Sequence, residues 1–469
     1  MTAAHPHGPC RARTVRLRRL GLVLLVPSAA LLVSACSTLL GGRGTGPQVR
    51  EVLVDYDHDE FATSLIGYFP RSVTVRPGDT VRFKQHWTGE PHSVTMGRLV
   101  DDVLTKVAPE FDRYEGTPMS DIPPEVIERV EAAMVDLPPY MLADDSQAGV
   151  NQNVAQPCYL PDGGPPEDTA TPCADDDQVQ PAFTGRHSFY NSGFIPYEGP
   201  KGNVFEVPIA ADAAPGTYYY YCNVHGAFQN GAITIVPGDQ DIPSQADVAR
   251  QARAEIEAWA EPLREAYELG KSVDEATFDA YGPPETVRKP FAGFAANDMW
   301  VHGMISEFIP RDMRVNVGDE VTWSFVGNHT VSFQVPPYFS QMHVEDDGTV
   351  VFNPQAVLPV GGPGFPNESA EPDGDGSPAE GEAPPGEGED ASAEGEGPSA
   401  EGEDASADPD GAPESPPPPA VDAGRWDGQT FLSSGVFWEG TYSVTFTQPG
   451  SYRYACLIHP RMIGTVVVE

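Results

Sequence analysis

The chain has 469 residues and a net charge of −41, which allows two or three domains. The acidic residues are unevenly spread: residues 361–420 contain 17 Asp or Glu and no Lys or Arg, in a stretch rich in Gly and Pro. Such a composition cannot bury a core, so we expect disorder there. The rest of the chain is also acidic, which argues against a nucleic-acid partner because phosphate binding needs clustered Lys and Arg.

The first 35 residues have the organisation of a signal peptide. Residues 11–19 contain five arginines, and residues 20–33 form an apolar stretch that is short for a membrane span. The motif Val-Ser-Ala-Cys that ends at Cys36 resembles the lipobox of bacterial lipoproteins, in which the cysteine is lipidated. The alternative is an ordinary signal peptide with an incidental Cys36. We expect an exported, periplasmic or extracellular protein that a lipid anchors to the outer face of the cell membrane.

Two more of the six cysteines, Cys158 and Cys173, lie close together in a Pro- and Asp-rich loop. Disulfides persist outside the cytoplasm, so we expect these two to pair. Another cysteine lies in the leader. The remaining two, Cys222 and Cys456, are each followed by a histidine three residues later, and this spacing makes them candidates for metal binding.

Two sequence phrases occur twice and indicate an internal duplication. A strand–turn–strand pattern covers residues 72–83 around Pro-Gly-Asp and returns at residues 312–323 around Val-Gly-Asp. The phrase Pro-Gly-x-Tyr-x-Tyr-x-Cys ends at Cys222 and again at Cys456. Several short strands between turn signals are typical of a β-sandwich, so each copy is expected to form one.

The region between the copies has the periodicity of a helix over residues 246–269, with Gly270 as its expected end. We interpret this helix as a spacer. Each copy also carries a long insertion after its first strand pair, at about 97–181, with a helix near 125–135, and at about 335–424. The expected organisation is a signal peptide at 1–35, a tether at 36–50, domain 1 at 51–237, a helical linker at 238–290, and domain 2 at 291–469 with a disordered acidic insertion at about 360–424.

An early histidine in each copy completes a candidate metal site. His92 and His329 both follow the second strand of the repeated pair, far upstream of the Cys-x-x-His loops. Two imidazoles, a thiolate and a weak axial ligand form a type 1 copper site, whose trigonal arrangement suits both oxidation states of copper. Cys-x-x-His alone also occurs in zinc sites and by chance. The shared upstream histidine and the shared approach to the cysteine favour copper.

These features resemble the cupredoxins, the blue-copper family that includes plastocyanin and azurin. The resemblance covers about residues 51–96 with 182–237, and about 291–334 with 425–469. It implies an all-β fold of two Greek-key β-sandwiches joined by the helical linker. It also implies two type 1 copper ions and outer-sphere electron transfer.

The resemblance also implies the copper ligands. In the second copy, the Cys-x2-His-x2-Met loop is similar to amicyanin-like sites and gives His329, Cys456, His459 and Met462. The first copy lacks this methionine, but its Gln-Asn-Gly-Ala-Ile at 229–233 looks like the Met-Asn-Gly-Ala-Ile of some nitrite reductase domains. Glutamine is the axial ligand of stellacyanin-like members. The first set is therefore His92, Cys222, His225 and Gln229, with Asn230 as the alternative axial ligand.

An amide oxygen stabilises oxidised copper better than a thioether does, so we expect the first site to have the lower reduction potential. The remaining histidines share no spacing between the copies and are interpreted as structural or incidental; they include His58, His86, His187, His302 and His343.

The resemblance implies an electron carrier whose partner is a redox protein such as a cytochrome or a membrane oxidase. Copper oxidases and nitrite reductases use the same repeats, but their catalytic copper needs a His-x-His pair or a histidine beside the blue-copper cysteine. Here Tyr221 and Ala455 precede the two cysteines, and the one His-x-His lies in the leader. Copper buffering or delivery stays open as a third function. In the family the electron passes through the late-loop histidine, so we expect exposed edges of His225 and His459 in an apolar docking patch.

Overall fold

The structure is a computed structural model that describes residues 46–115, 117, 119–137, 149–195, 203–280, 287–288, 290–293, 303–336, 341–345, 348–361 and 419–469. The lipidation candidate Cys36 and most of the acidic stretch lie outside these residues. Residues from Pro47 to Glu469 form one compact unit. Within that unit, the predicted fold class, two β-sandwiches joined by a helical linker, is confirmed.

The first domain packs two sheets face to face. Along Thr80–Gln85 every second residue is buried, which is the pattern of a strand with one face in a core. This strand pairs in parallel with Val49–Val54 because the chain visits the opposite sheet between them. One sheet contains Tyr68–Phe69, Val49–Val54, Thr80–Gln85 and Val204–Pro208; the other contains Ser72–Val75, Gly226–Ile235, Gly216–Cys222, Thr95–Met96, Phe189–Asn191 and Cys158–Leu160.

The second domain repeats this arrangement. Its strand Glu320–His329 alternates buried and half-buried residues along its whole length, so that His329 ends on the inward face. One sheet contains Phe308–Ile309, Phe291–Ala292, Glu320–His329, Phe437–Phe446 and Ala420–Trp426, with Val287–Arg288 paired beside it; the other contains Asp312–Val315, Ile463–Val468, Gly450–Ala455, Ser332–Phe333 and Leu432–Ser433. A separate hairpin pairs Met342–Val344 with Val350–Phe352.

The insertion of the first domain folds onto the sandwich. The helix Arg98–Tyr114, which the sequence did not predict, packs its apolar face against the helix Pro124–Met134 and against Tyr221. A disulfide joins Cys158 to Cys173, with Cα atoms 5.7 Å apart. Short 3-10 helices cover Met119–Asp121 and Asp175–Gln178.

Both insertions contain the same one-turn helix. The side chain of Asn151 accepts a hydrogen bond from the Asn153 amide and caps Gln152–Ala155. The side chain of Asn353 caps Pro354–Val357 in the same way, as an N-cap asparagine does. The duplication therefore extends into the two insertions, which the sequence analysis placed at the same position in each copy.

The linker helix covers Gln245–Ala280, so Gly270 does not end it. One glycine inside a helix costs about 1 kcal/mol, and the ten residues that follow include no proline or second glycine. Its apolar face, including Ile256 and Trp259, packs against Phe61 and Phe69 of the first domain and Ile305 of the second. The helix is therefore part of the interface and more than a spacer.

The two domains also contact each other directly. Strand Thr63–Leu65 of the first pairs antiparallel with Gly303–Ile305 of the second. The Ala62 amide donates to the Glu307 carboxylate at 3.1 Å. The side-chain amide of Gln152 donates to the Val350 carbonyl at 2.8 Å and accepts from the Val350 amide at 2.9 Å. These bonds hold the two sandwiches in one arrangement, which fixes how their candidate sites face each other.

Candidate metal centres

The first candidate site lies at one end of the first sandwich. Cys222 ends a strand, His225 lies in the turn that follows, and His92 comes from the neighbouring loop. The Cys222 Sγ lies 3.6 Å from His225 Nδ1 and 3.9 Å from His92 Nδ1. Cys222 and His92 are fully buried, so the three donor atoms converge in a site shielded from water.

Gln229, the proposed axial ligand, lies against both histidines of this site. Its Oε1 lies 2.9 Å from His225 Nδ1 and 3.0 Å from His92 Nδ1, while its Nε2 donates to the Gly67 carbonyl at 3.2 Å. The alternative, Asn230, is turned away, because its Oδ1 accepts from Arg71 and its Nδ2 donates to the Ala227 carbonyl. The structure therefore brings Gln229 to the cluster and excludes Asn230.

A carboxylate that the sequence analysis missed supports His92. The Oδ2 of Asp55 lies 2.8 Å from His92 Nε2, and the Thr88 hydroxyl donates to the same oxygen. Burial lowers the pKa of His92, but Asp55 and Cys222 oppose this and hold the pKa well above its ordinary value. Burial would raise the pKa of the Cys222 thiol, yet hydrogen bonds from the two histidines bring it well below its ordinary value. The surroundings of Cys222 therefore favour the thiolate form of its side chain.

The second candidate site repeats the donor set in a more apolar setting. The Cys456 Sγ lies 3.6 Å from His459 Nδ1 and 4.0 Å from His329 Nδ1, and the two Nδ1 atoms are 3.0 Å apart. Met462 is fully buried in the same hydrophobic cluster as Cys456. Burial raises the pKa of the Cys456 thiol and lowers the pKa of His329 to about 3. Neutral ligands are favoured here, and a bound cation would have to displace the thiol proton.

Backbone amides donate hydrogen bonds to both cysteine sulfur atoms. The Ser93 amide donates to the Cys222 sulfur at 3.4 Å, and the Thr330 amide donates to the Cys456 sulfur at 3.4 Å. Since the donor is the main chain, the side chain after the first histidine can be serine or threonine.

The spacing of the donor atoms fits a copper ion. Metal–nitrogen bonds of about 2.0 Å and metal–sulfur bonds of about 2.3 Å in a trigonal plane place sulfur and nitrogen about 3.7 Å apart. The observed sulfur–nitrogen distances are 3.6 and 3.9 Å in one site and 3.6 and 4.0 Å in the other. Each set offers an ionisable thiol and two ring nitrogens, a donor set that suits copper.

The late-loop histidines do not have the exposed edges that the family resemblance implied. His459 is 2% exposed and the His225 side chain is 12% exposed. Their Nε2 atoms point to the domain interface, where Glu90 lies 3.8 Å from His225 and 3.9 Å from His459. Met462 is also buried, in the hydrophobic core of its own domain, so it does not contribute to the expected exposed apolar patch.

The structure describes one further cluster of potential metal ligands, formed by Asp55, Glu90 and His92. It shares His92 with the first site and so does not supply a separate histidine set. The other described histidines have different partners: His86 accepts from the Asp57 amide, His58 lies beside Glu257, His187 accepts from the Thr184 amide, and His343 contacts Glu345. His302 lies outside the described residues.

No protein-family model matches the chain, and no curated protein matches it. Among solved structures, it is similar to auracyanin from Roseiflexus castenholzii, at 18% identity over 41% of this chain and 100% of that one, with a TM-score of 0.18. It is also similar to a copper-containing nitrite reductase from Thermus scotoductus, at 11% identity over 90% of this chain and 68% of that one, with a TM-score of 0.17. A blue copper oxidase from Nitrosomonas europaea matches at 10% identity over 90% of this chain and 86% of that one, with a TM-score of 0.17. These scores are too low to support a functional argument, which therefore depends on the donor atoms.

Proposed function

We propose that the chain binds two copper ions at type 1 sites and carries single electrons outside the cytoplasm. The observation that carries the proposal is the pair of buried sets in which one cysteine sulfur faces two histidine Nδ1 atoms at 3.6 to 4.0 Å. Copper would supply one-electron redox chemistry at each set. The proposed ligands are His92, Cys222, His225 and Gln229, and His329, Cys456, His459 and Met462.

The protein's part in this function is to hold the ligands still. Cys222 ends a strand of a packed sheet, Cys456 directly follows one, and backbone amides donate to both sulfur atoms. A rigid scaffold keeps the same ligand geometry in both oxidation states of the ion. This lowers the reorganisation energy of electron transfer. The buried surroundings also exclude water and exogenous ligands from the coordination plane.

A carrier is favoured over an oxidase or nitrite reductase. Neither cysteine has an adjacent histidine, since Tyr221 and Ala455 precede them. Within the described ranges, no histidine cluster separate from the two Cys–His sets is present. Oxygen-consumption and nitrite-reduction assays on copper-loaded protein test this directly, because either activity would support an enzyme.

Copper delivery is less well supported. A delivery site must release its ion to a partner, and exposed ligands make this easy. Here Cys222, His92, Cys456 and His329 are each 5% exposed or less. Retention of copper against a weak chelator would agree with a carrier, and rapid loss would agree with delivery.

We place the carrier on the outer face of the cell membrane, anchored through Cys36, with a cytochrome or membrane oxidase as its redox partner. No helix in the described part of the chain is both long and apolar enough to cross a membrane. The acidic surface would steer a basic partner, an effect that added salt should weaken. Mass spectrometry of the mature N-terminus tests the anchor.

The copper assignment is tested by loading the apoprotein with copper and following its visible spectrum through a redox cycle. An intense thiolate-to-copper band that reduction removes and oxidation restores supports the proposal. Cys222→Ser and Cys456→Ser should each remove the part of this band that comes from one site. If each variant binds copper but shows no thiolate-to-copper band, the copper assignment is contradicted.

A further inference from the structure

We propose that the two sites form one internal electron relay through the chain of side chains His225–Glu90–His459. This inference depends on the proposed copper function. It goes beyond that function because it makes the protein a coupled pair of redox sites instead of two independent carriers.

The geometry of the domain interface carries this inference. Glu90 belongs to the first domain, and its two carboxylate oxygens point in different directions. Oε2 lies 3.8 Å from Nε2 of His225, and Oε1 lies 3.9 Å from Nε2 of His459 in the second domain. Both histidines direct their other ring nitrogen, Nδ1, to a cysteine sulfur at 3.6 Å. One carboxylate therefore spans the space between the outer edges of the two sites.

The surrounding contacts hold this arrangement in place. A Cβ atom at Gly89 would overlap the Ile458 carbonyl, so the loop before Glu90 packs directly on the loop before His459. Arg461, two residues after His459, reaches back to the first domain and donates to Asp57 at 2.8 Å. The Glu90 side chain thus lies between two loops, one from each domain, that pack against each other at the interface.

Glu90 is buried, although its side chain carries a carboxylate. It is 5% exposed, and its Oε2 has no hydrogen-bond partner among the described residues. Keeping a carboxylate away from water lowers stability unless its neighbours compensate. The equivalent position in the second domain, two residues before His329, is Gly327. The Glu90 carboxylate lies against one histidine of each domain, so its position is best explained by the two sites that it connects.

The proposed step is a single-electron exchange with no other reactant. One electron leaves the reduced first site and reduces the second, and the ligands of both sites stay bound. The direction follows from the ligands: Gln229 and the Asp55 carboxylate favour the oxidised state at the first site, while Met462 favours the reduced state at the second.

The test is a pulse-reduction experiment on the copper-loaded full chain, in which one site is reduced rapidly and redistribution between the two visible bands is followed. In the unmodified protein, redistribution should be first order and independent of protein concentration. Glu90→Ala should slow it about tenfold or more, equivalent to about 1.4 kcal/mol in the barrier. Glu90→Gln keeps the side chain in place and should retain most of the rate.

Two further variants separate the bridge from the interface. Glu307→Ala removes the interdomain bond to the Ala62 amide without touching Glu90, so it should leave the rate unchanged. Glu90→Leu fills the same volume and serves if the alanine variant does not hold both coppers. Thermal unfolding of the apoproteins should show no large loss of stability in Glu90→Leu, because an apolar side chain of similar size replaces a buried charged group.

The possible outcomes are distinct. Equal redistribution rates in the unmodified protein and in the Ala or Leu variant would overturn the relay, as would redistribution whose rate rises with protein concentration. Both results leave the copper function intact, provided that two type 1 bands are present. Absence of those bands in the unmodified protein would instead defeat the copper proposal itself.

Discussion

Asp55 of the first domain and Gly293 of the second occupy equivalent positions beside the first histidine of each site. The Asp55 amide donates to the Gly67 carbonyl at 2.8 Å, and the Gly293 amide donates to the equivalent Glu307 carbonyl at 3.1 Å. The Asp55 carboxylate bonds to His92 Nε2, whereas a Cβ at Gly293 would overlap His329 Nε2. The sites thus share a Cys–His–His set but differ in the group that supports the first histidine.

Replacement of Asp55 by asparagine should raise the reduction potential of the first site. A carboxylate makes the imidazole a stronger donor, which favours the oxidised ion. Loss of such a partner of a ligating histidine lowers metal affinity about 10- to 100-fold. If only the affinity for the oxidised ion falls, the reduction potential should rise by about 60–120 mV. Spectroelectrochemical titration of Asp55→Asn in a Cys456→Ser background measures the first site by itself.

The matched control is the same titration of the second site, in Asp55→Asn with Cys222→Ser. Its potential should stay where it is in Cys222→Ser alone, because Asp55 contacts only His92 among the copper ligands. A fall in the first-site potential, or equal shifts at both sites, would contradict the assigned role of the carboxylate.

The axial residues should account for a second part of the difference between the sites. Gln229→Met replaces an amide oxygen with a thioether and should raise the first-site potential, while Met462→Gln should lower the second-site potential. Without these changes, we expect the first site to have the lower potential of the two. Titrations of the Cys456→Ser and Cys222→Ser proteins compare the sites, and a higher potential at the first site would refute this order.

The donor sets could be predicted from the sequence because they lie in short motifs that occur twice. The same strand pair precedes His92 and His329, and the same approach precedes Cys222 and Cys456. Short-range patterns of this kind determine strands, turns and the ligands attached to them. Gln229 could be preferred over Asn230 only through family resemblance, and the observed hydrogen bonds separate the two.

The roles of Glu90 and Asp55 could not be predicted from the sequence motifs. Both residues stand where the second copy has glycine, and an alignment of the two copies would have shown both differences. The contact of Asp55 with His92 depends on how the first sandwich folds, whereas the contact of Glu90 with His459 depends on how the two sandwiches dock. The burial of His459 has the same origin, since it comes from contact with a segment more than three hundred residues away in sequence.

A half-buried carboxylate away from both sites should make stability depend on pH. Burial raises the pKa of Asp101 from 3.8 to about 7, despite a hydrogen bond from the Tyr219 amide. The folded state therefore holds this proton more tightly than the unfolded state. Stability from this group is complete below pH 3.8 and is lost as pH rises towards 7, by at most about 4 kcal/mol.

Asp101→Asn removes this titration and should be more stable than the unmodified apoprotein at pH 8. The advantage should shrink on acidification towards pH 4, and urea unfolding of both apoproteins across this range measures it. A constant difference in unfolding free energy would show that Asp101 does not titrate in this window.

The disulfide should stabilise the first-domain insertion. Cys158 and Cys173 are separated by 15 residues, and closing such a loop is worth about 3 kcal/mol in the chain-entropy model. Replacing both by alanine should lower the unfolding free energy by about that amount under oxidising conditions. Reducing agent should destabilise the unmodified protein similarly and have no effect on the variant; sensitivity of the variant to reductant would point to another cause.

The most direct test of two type 1 coppers without a catalytic copper is the electron paramagnetic resonance spectrum of copper-loaded protein, with copper counted per chain. We expect two coppers per chain, both with the narrow hyperfine splitting of a copper–thiolate site. A type 2 signal, or a copper count above two, would contradict this prediction.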